Sequence, residues 1–277
     1  MSRWVLSYNT NGFAHHRLED AVDILAELGY GGIALTPDVH HLDPFAPDLA
    51  ERAERLRRLT DRKCLALTIE TGARFNLEAR RKHYPSLLCA DGRERRIDFL
   101  VRCVDLASRL GAPSVSLWSG HNFESLDDRR AEDLLVEGLA RVLEVADRQG
   151  VDIGFEPEPG MFTETVAGYA RLRDRLRHRR FRLALDTGHL MVTQDSTPAA
   201  AIGAFAADLS SVTVEDMRLG VHEHLPFGEG DMDFDALFAA LRATSYAGPI
   251  IVELSRSSPN AVKAAADSIA FLRPFIA

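Results

Sequence analysis

Eight short apolar runs, each followed by a helical segment, predict a single closed (β/α)8 TIM barrel spanning residues 1–277. Three observations carry that expectation. Strands and helices alternate along the whole chain, and a helical crossover between consecutive strands makes the sheet parallel. The length, 277 residues, sits close to the ~250 residues typical of one such barrel. No composition break or low-complexity tract divides the chain, and no GxGxxG fingerprint follows the first strand, which argues against an open dinucleotide-binding sheet.

Residues 4–8 read as the first strand, with Asn9-Thr10-Asn11-Gly12 as a polar loop behind it. Over 18–28, Ala21, Val22, Leu25 and Leu28 recur on one helical face, and Gly29 supplies the stop. Residues 31–35 form a short buried strand ended by Thr36-Pro37. The charged segment 48–59 turns Leu49, Ala53, Leu56 and Leu59 inward. Strand three, 64–69, runs into Glu70. An excursion over 76–92 precedes helix 95–110, and loops of that length in compact barrels usually cover substrate or carry function. Strand four, 114–117, ends at Trp118-Ser119-Gly120-His121, and a long helix over 128–148 leads to strand five, 151–156. Helix 165–177 precedes strand six, 181–186. An alanine-rich helix is expected over 198–209 and strand seven over 211–214, ending near Glu215-Asp216. Helix 234–244, strand eight at 250–253 and a last helix over 260–275 complete the eight units.

Composition narrows the function classes. Hydrophobic residues make up 46% of the chain, enough for a large core, and the net charge is −8 with no basic stripe, which argues against a nucleic-acid platform. Cys64, Cys89 and Cys103 show no paired spacing, so no disulfide framework is expected and a reducing cytoplasm fits. Residues 1–9 lack an apolar leader, and no run approaches the ~20 residues that span a bilayer, so a soluble cytoplasmic protein without a membrane partner is expected.

Three strands end in an acid: Glu156 after strand five, Asp186 after strand six and Glu253 after strand eight. In a parallel barrel these ends share one rim, where active sites are built. Three carboxylates there repel one another, and a divalent cation is the usual way to hold them together. Any single acid at a strand end is as readily a helix cap; three of them beside histidines make a site the better reading. His189 lies three residues after Asp186. His222 and His224 occupy alternate positions of one loop and so share a side if it is extended. Glu158, two residues beyond Glu156, is expected to face outward. Glu70 and Arg74 after strand three, with Trp118 and His121 after strand four, are expected to surround the far side as substrate contacts. Trp118 offers a flat stacking wall for a substrate ring, or packs the barrel top. Arg74, Arg80, Arg81, Lys82 and His83 make the third loop locally basic, the first place to look for a substrate phosphate or carboxylate. Arg81 and Lys82 read as solvated.

Four pieces, Glu156-Pro157, Asp186-Thr187-Gly188-His189, the turn Gly228-Glu229-Gly230-Asp231-Met232-Asp233-Phe234 and the Glu253 that closes Ile251-Val252, carry a resemblance over nearly the whole chain. The chain resembles the xylose isomerase-like TIM-barrel superfamily, the sugar phosphate isomerases and epimerases that share a fold with endonuclease IV. That resemblance implies one divalent metal ion (Mn²⁺, Mg²⁺, Co²⁺ or Zn²⁺) ligated by Glu156, Asp186 and Glu253, with His189 contacting a small sugar or cyclitol. It implies isomerisation or epimerisation of a ketose, keto-cyclitol or related sugar through an enediolate, with Glu156 and Glu253 as catalytic acid and base, and self-association into a homo-oligomer. The same enediolate chemistry also serves a dehydratase or lyase on a keto-sugar or inosose.

One implied ligand is missing. The family's strand-seven pattern, His-x-x-Asp/Glu, reads Thr213-Val214-Glu215-Asp216 here, and a neutral hydroxyl is a poor ligand for a divalent ion. Four outcomes are open: His222 or His224 replaces the histidine, Glu215 contributes, water fills the position, or the metal is lost and the barrel only binds a sugar metabolite. A histidine or water is the favoured outcome. The family's arginine beyond the acid is displaced as well, with Leu219 at its position and Arg218 adjacent as the expected substrate contact. His189, His222 and His224 match one site of the three-metal cluster of endonuclease IV. Glu70 and Trp118 stand where that cluster needs histidines, and an acidic chain is a poor partner for DNA, so a repair endonuclease is not expected.

Overall fold

The apolar runs hydrogen-bond edge to edge in chain order: β1 (Val5–Asn9), β2 (Gly32–Leu35), β3 (Ala66–Glu70), β4 (Ser114–Leu117), β5 (Asp152–Phe155), β6 (Phe181–Asp186), β7 (Leu209–Val214) and β8 (Pro249–Val252). The last strand returns to pair with the first, every pairing is parallel, and the sheet closes into a barrel without a free edge. The computed structural model describes residues 4–276. Residues 1–3, part of the stretch read as lacking a leader, and residue 277 lie outside the described residues. Among the described residues no helix is long and apolar enough to cross a membrane.

The helices that coat the barrel are α1 (Leu18–Leu28), α2 (Leu49–Lys63), α3 (Arg93–Leu110), α4 (Asp128–Gln149), α5 (Val166–Leu176), α6 (Thr187–Thr193), α7 (Pro198–Phe205), α8 (Phe234–Ala243) and α9 (Ala261–Ile276). Their starts follow from short polar caps. Asp127, Thr165, Thr197 and Asp233 each accept a hydrogen bond from a backbone N–H of the first turn of α4, α5, α7 and α8. Helix α1 ends where Gly29 takes φ 96°, a left-handed conformation that costs glycine little. Inward faces of these helices and the strands share one core that includes Tyr8, Phe13, Phe99, Phe155, Tyr169 and Phe238, all fully buried.

Several boundaries differ from expectation: α2 continues to Lys63, past the expected end at 59, and β3 starts at Ala66. The alanine-rich helix stops at Phe205 and Leu209 already pairs with Leu183 in the sheet, so strand pairing overrides the helical propensity of the run. Helix α6 was not expected at all. It is a seven-residue helix built from a stretch that reads as a small-residue turn.

The excursion over 76–92 is packed rather than loose. Three arginines in the first turn of α3 bind its carbonyls: Arg93 Nε donates to Leu87 O at 2.9 Å, Arg96 Nε and Nη2 donate to Pro85 O and His83 O at 2.8 and 3.0 Å, and Arg95 donates to Leu77 O. Leu77, Leu87, Leu88 and Cys89 bury their side chains beneath it.

Candidate active site

At the C-terminal mouth of the barrel the strand ends and their loops enclose a cavity of about 220 Å³. Its walls include Glu70 at the end of β3 and Arg74 beyond it, Trp118 after β4, Glu156 and Glu158 after β5, His189 in α6, His222 and His224 after β7, and Glu253 with Arg256 after β8. With Asn11 after β1 and Thr36 after β2, residues from all eight strand–helix units meet around one space. Lys82 and His83 reach it from the long loop, where the buried His83 ring packs on Trp118 with centroids 4.9 Å apart.

Asp186 sets the geometry of the α6 side. Its Oδ1 accepts from the backbone N–H groups of Gly188 at 2.8 Å and His189 at 3.1 Å, so this strand-ending carboxylate is itself the cap of α6. The short helix carries the His189 ring into the barrel mouth, where Nδ1 lies 3.0 Å from Pro157 O. Only a protonated Nδ1 can bond a carbonyl, which leaves Nε2 as the open nitrogen of the neutral ring. Nε2 lies 3.6 Å from Asp186 Oδ2 and 3.5 Å from Glu158 Oε2, and Nδ1 lies 3.8 Å from Glu156 Oε1. Burial opposes a charge on His189, but Asp186 and Glu158 beside it raise its pKa above the usual value. Burial likewise opposes the Asp186 charge, and His189 and His224 outweigh it, holding the carboxyl below its usual range.

The other acids respond differently. Glu156 is 7% exposed, and burial first, then the charges of Glu158, Asp186 and Glu253, push its pKa well up. Glu70 is pushed up to about 8 by burial and then by Glu253, although Thr36 Oγ1 donates to its Oε2 at 2.7 Å. Glu253 is held by Asn11, whose Nδ2 donates to Oε1 at 2.9 Å. Close carboxylates whose protons bind with such unequal strength are the arrangement that acid–base chemistry requires.

The segment after β7 is organised by Asp216. Its Oδ1 accepts from Met217 N at 2.9 Å and Met232 N at 3.1 Å, its Oδ2 accepts from Gly228 N at 2.8 Å, and its backbone bridges Leu225. That clasp closes the base of the loop and turns His222 and His224 back over the mouth. Their rings meet His189 in a trio with centroids 5.0, 6.2 and 5.6 Å apart. Gly230 is required there, since a Cβ would stand 2.3 Å from Asp216 Oδ1. Beneath the trio lies Glu215, fully buried, with His224 Nδ1 3.6 Å from its Oε1.

Several expectations need correction. His121 is not part of the cavity wall: its Nδ1 lies 2.8 Å from Gly160 O and its ring packs on Phe123, which turns it aside. Arg218 also lies outside the wall, exposed beyond the Asp216 clasp where the chain turns to solvent. Glu158 faces inward instead of outward, because Glu156 and Glu158 flank one proline in a non-helical segment and project to the same side. Lys82 lines the cavity, and burial, then Arg74, lowers its pKa, whereas Arg81 sits over the Tyr84 ring at 3.6 Å. Glu158 and Asp216 were missed as site residues; the Glu-x-Glu spacing and the turn between Asp216 and Gly230 were the available signals.

Three overlapping groups bring ligand atoms within 4.8 Å of one another: His189–His222–His224, Glu156–Glu158–His189 and Asp186–Glu215–His224. Asp186 Oδ2, both Glu215 carboxylate oxygens and His224 Nδ1 are buried, and among the described residues the only partner within reach of Asp186 Oδ2 and the Glu215 oxygens is the facing carboxyl. Orphaned acceptors of this kind, in a set of carboxylates and imidazoles without thiolate, fit a divalent cation.

The family described as a xylose isomerase-like TIM barrel matches residues 22–275. The chain belongs to this family. Among curated relatives of this xylose isomerase-like barrel, the L-ribulose-5-phosphate 3-epimerase UlaE of Shigella flexneri serotype 5b is 27% identical over 216 residues, covering 74% of each chain. Among solved structures, the 3-keto-D-glucoside 4-epimerase YcjR of E. coli superposes with a TM-score of 0.80 at 17% identity, covering 98% of this chain and 99% of that one. The D-allulose 3-epimerase of Methylomonas sp., in complex with D-allulose, superposes with a TM-score of 0.78 at 18% identity, covering 99% and 98%. At these identities the structural likeness establishes the shared barrel, and chemistry has to be argued from the site.

Proposed function

We propose that this chain is a divalent-metal-dependent epimerase acting on a ketose, ketose phosphate or keto-cyclitol. One observation carries the reading: Glu156 from the end of β5 and Glu253 from the end of β8 line one cavity together with the open Nε2 side of His189. The kinship with sugar epimerases supports it.

A divalent ion bound beside Asp186 would supply polarisation of the keto oxygen and its neighbouring hydroxyl. The chain's own groups do the rest. One of the two glutamates, as carboxylate, takes the proton from the carbon next to the carbonyl, leaving an enediolate. The other, as carboxylic acid, returns a proton to the opposite face, and the pair ends with its protonation states exchanged. Burial of Glu156 favours its acid form and fits it to donate. His189, fixed by Pro157, orients the substrate oxygen, and Trp118 with His83 forms the wall against which the sugar carbons lie. Arg74, Lys82 and Arg256 line the same space from more exposed positions, where a phosphate at the far end of the substrate would find them.

The decisive experiment incubates the metal-loaded protein with ketoses, ketose phosphates and inososes in D₂O and follows deuterium at the α-carbon by NMR. Exchange with at least one keto substrate is expected, and formation of the epimer should fall by roughly 10³-fold in Glu156→Gln. Absence of exchange with every such substrate in metal-loaded protein overturns the reading.

A further inference from the structure

Glu215 is the one fully buried carboxylate at the mouth for which the mechanism above has no use. Its carboxyl faces that of Asp186 closely enough for the two to share a proton; apart from that approach neither of its oxygens, nor Asp186 Oδ2 or His224 Nδ1, has a hydrogen-bond partner among the described residues. Each unsatisfied buried polar group costs about 1–3 kcal/mol, and more when charged. Four of them in one place call for a common partner. The Glu215–His224 approach, 3.6 Å, is too long for a hydrogen bond. It is close to the ~3.4 Å that separates two ligands bonded at 2.0–2.1 Å around a tetrahedral ion.

The surrounding chain is shaped to keep this arrangement. A Cβ at Gly188 would stand 2.0 Å from Glu215 Oε1, so the first turn of α6 leaves room for the carboxylate by having no side chain there. The Asp216 clasp follows Glu215 directly and its bridge to Leu225 follows His224 directly, so one device fixes both residues. Register supplies the reason for Glu215 in particular. Thr213 pairs with Asp186 across the sheet, and Glu215 lies two residues further along, on the same side of the strand and one step nearer the mouth.

We propose that the divalent ion is held by Asp186, Glu215 and His224, with Glu215 and His224 together replacing the strand-seven histidine that Thr213 lacks. The ion thus sits toward β6 and β7, displaced from the Glu253 wall, and Glu253 remains free to carry protons. Two carboxylates balance the charge of a divalent ion, and the neutral imidazole adds a nitrogen donor that suits Mn²⁺, Co²⁺ or Zn²⁺ better than Mg²⁺. Three protein ligands leave further coordination positions open toward the cavity for two substrate oxygens.

This placement rests on the metal-dependent reading, and binding measured without substrate separates the two. The full chain, stripped with EDTA, is titrated with Co²⁺ and followed by calorimetry and by visible absorption. Wild type is expected to bind one ion with a low-coordinate cobalt spectrum. Glu215→Gln should weaken binding by about 100-fold or more, a loss at least as large as outer-shell changes give. Glu253→Gln should change it less than about threefold, and thermal melts establish that each variant is folded. Anomalous diffraction from Co²⁺-loaded wild-type crystals gives a reading independent of any variant, with a peak expected within bonding distance of Glu215 and His224. A peak bonded to Glu156 and Glu253 but not to Glu215, or a larger loss in Glu253→Gln than in Glu215→Gln, overturns the placement and leaves the metal-dependent reading standing. Failure of the wild type to bind any divalent ion overturns both.

Discussion

Asp186 performs two tasks with two oxygens. Oδ1 caps α6 through Gly188 and His189, and Oδ2 is left open toward Glu215 and His189. The tasks separate by substitution. Asparagine keeps a carbonyl oxygen for the cap but removes the charge, so Asp186→Asn should retain wild-type stability to within about 1 kcal/mol while metal binding is lost. Asp186→Ala should lose the cap as well, at a further cost of about 1 kcal/mol; chemical denaturation alongside metal titration checks both. Strand-ending acids such as Glu156 and Asp186 were legible in the sequence because an apolar run that stops at a carboxylate marks a barrel rim. Glu215 was legible only as one of several substitutes for a missing histidine. Its importance depends on a void opposite Gly188 and on unmade hydrogen bonds, and neither leaves a trace in residue order.

At the scale of elements, the loop after β7 is where the site is assembled or lost. Asp216 accepts three backbone hydrogen bonds across its base, and His222 and His224 depend on that closure for their positions. Removing a buried carboxylate that satisfies three N–H donors should cost about 3 kcal/mol. Asp216→Ala is therefore expected to lower the denaturation midpoint and to raise amide exchange over residues 217–232, with α-proton exchange of substrate falling in step. Hydrogen-exchange mass spectrometry reads the first effect, and intact protection over 217–232 would show that the clasp is not what holds the loop. The eight strands and most of the helices follow from hydrophobic period and turn residues alone. Helix α6 does not, because seven residues with Thr, Gly and His in the first turn have little helical propensity, and its formation relies on the Asp186 cap and on burial. Leu209 was misread because an alanine-rich run continues smoothly past Phe205, whereas sheet pairing with Leu183 is a long-range fact. Glu158 reads as solvent-facing in residue order because the bend that carries its loop over the barrel is a tertiary feature.

For the molecule as a whole, a closed barrel gathers most of its buried acids at one mouth, and this gives stability a pH signature. Glu70, pushed up to about 8 by burial and Glu253, holds its proton more tightly folded than unfolded. Such a group contributes stability that is fully present below its unfolded pKa, near 4.3, and is lost as pH rises through its folded value. Glu156 is raised for the same physical reason and acts in the same direction. Metal-stripped protein should therefore melt at lower temperature at pH 9 than at pH 7, and saturating divalent ion should flatten the dependence by favouring ionised carboxylates. A melting temperature of stripped protein that stays level across that interval would contradict it. The loop over 76–92 bears on the molecule in another way. Because Arg93, Arg95 and Arg96 bind its carbonyls from the first turn of α3, and Lys82 and His83 enter the cavity from it, the loop and that helical turn form one physical part. An engineer who wishes to retune substrate choice has to exchange them as a single cassette, since a loop transplanted without its three arginines arrives without its fastenings.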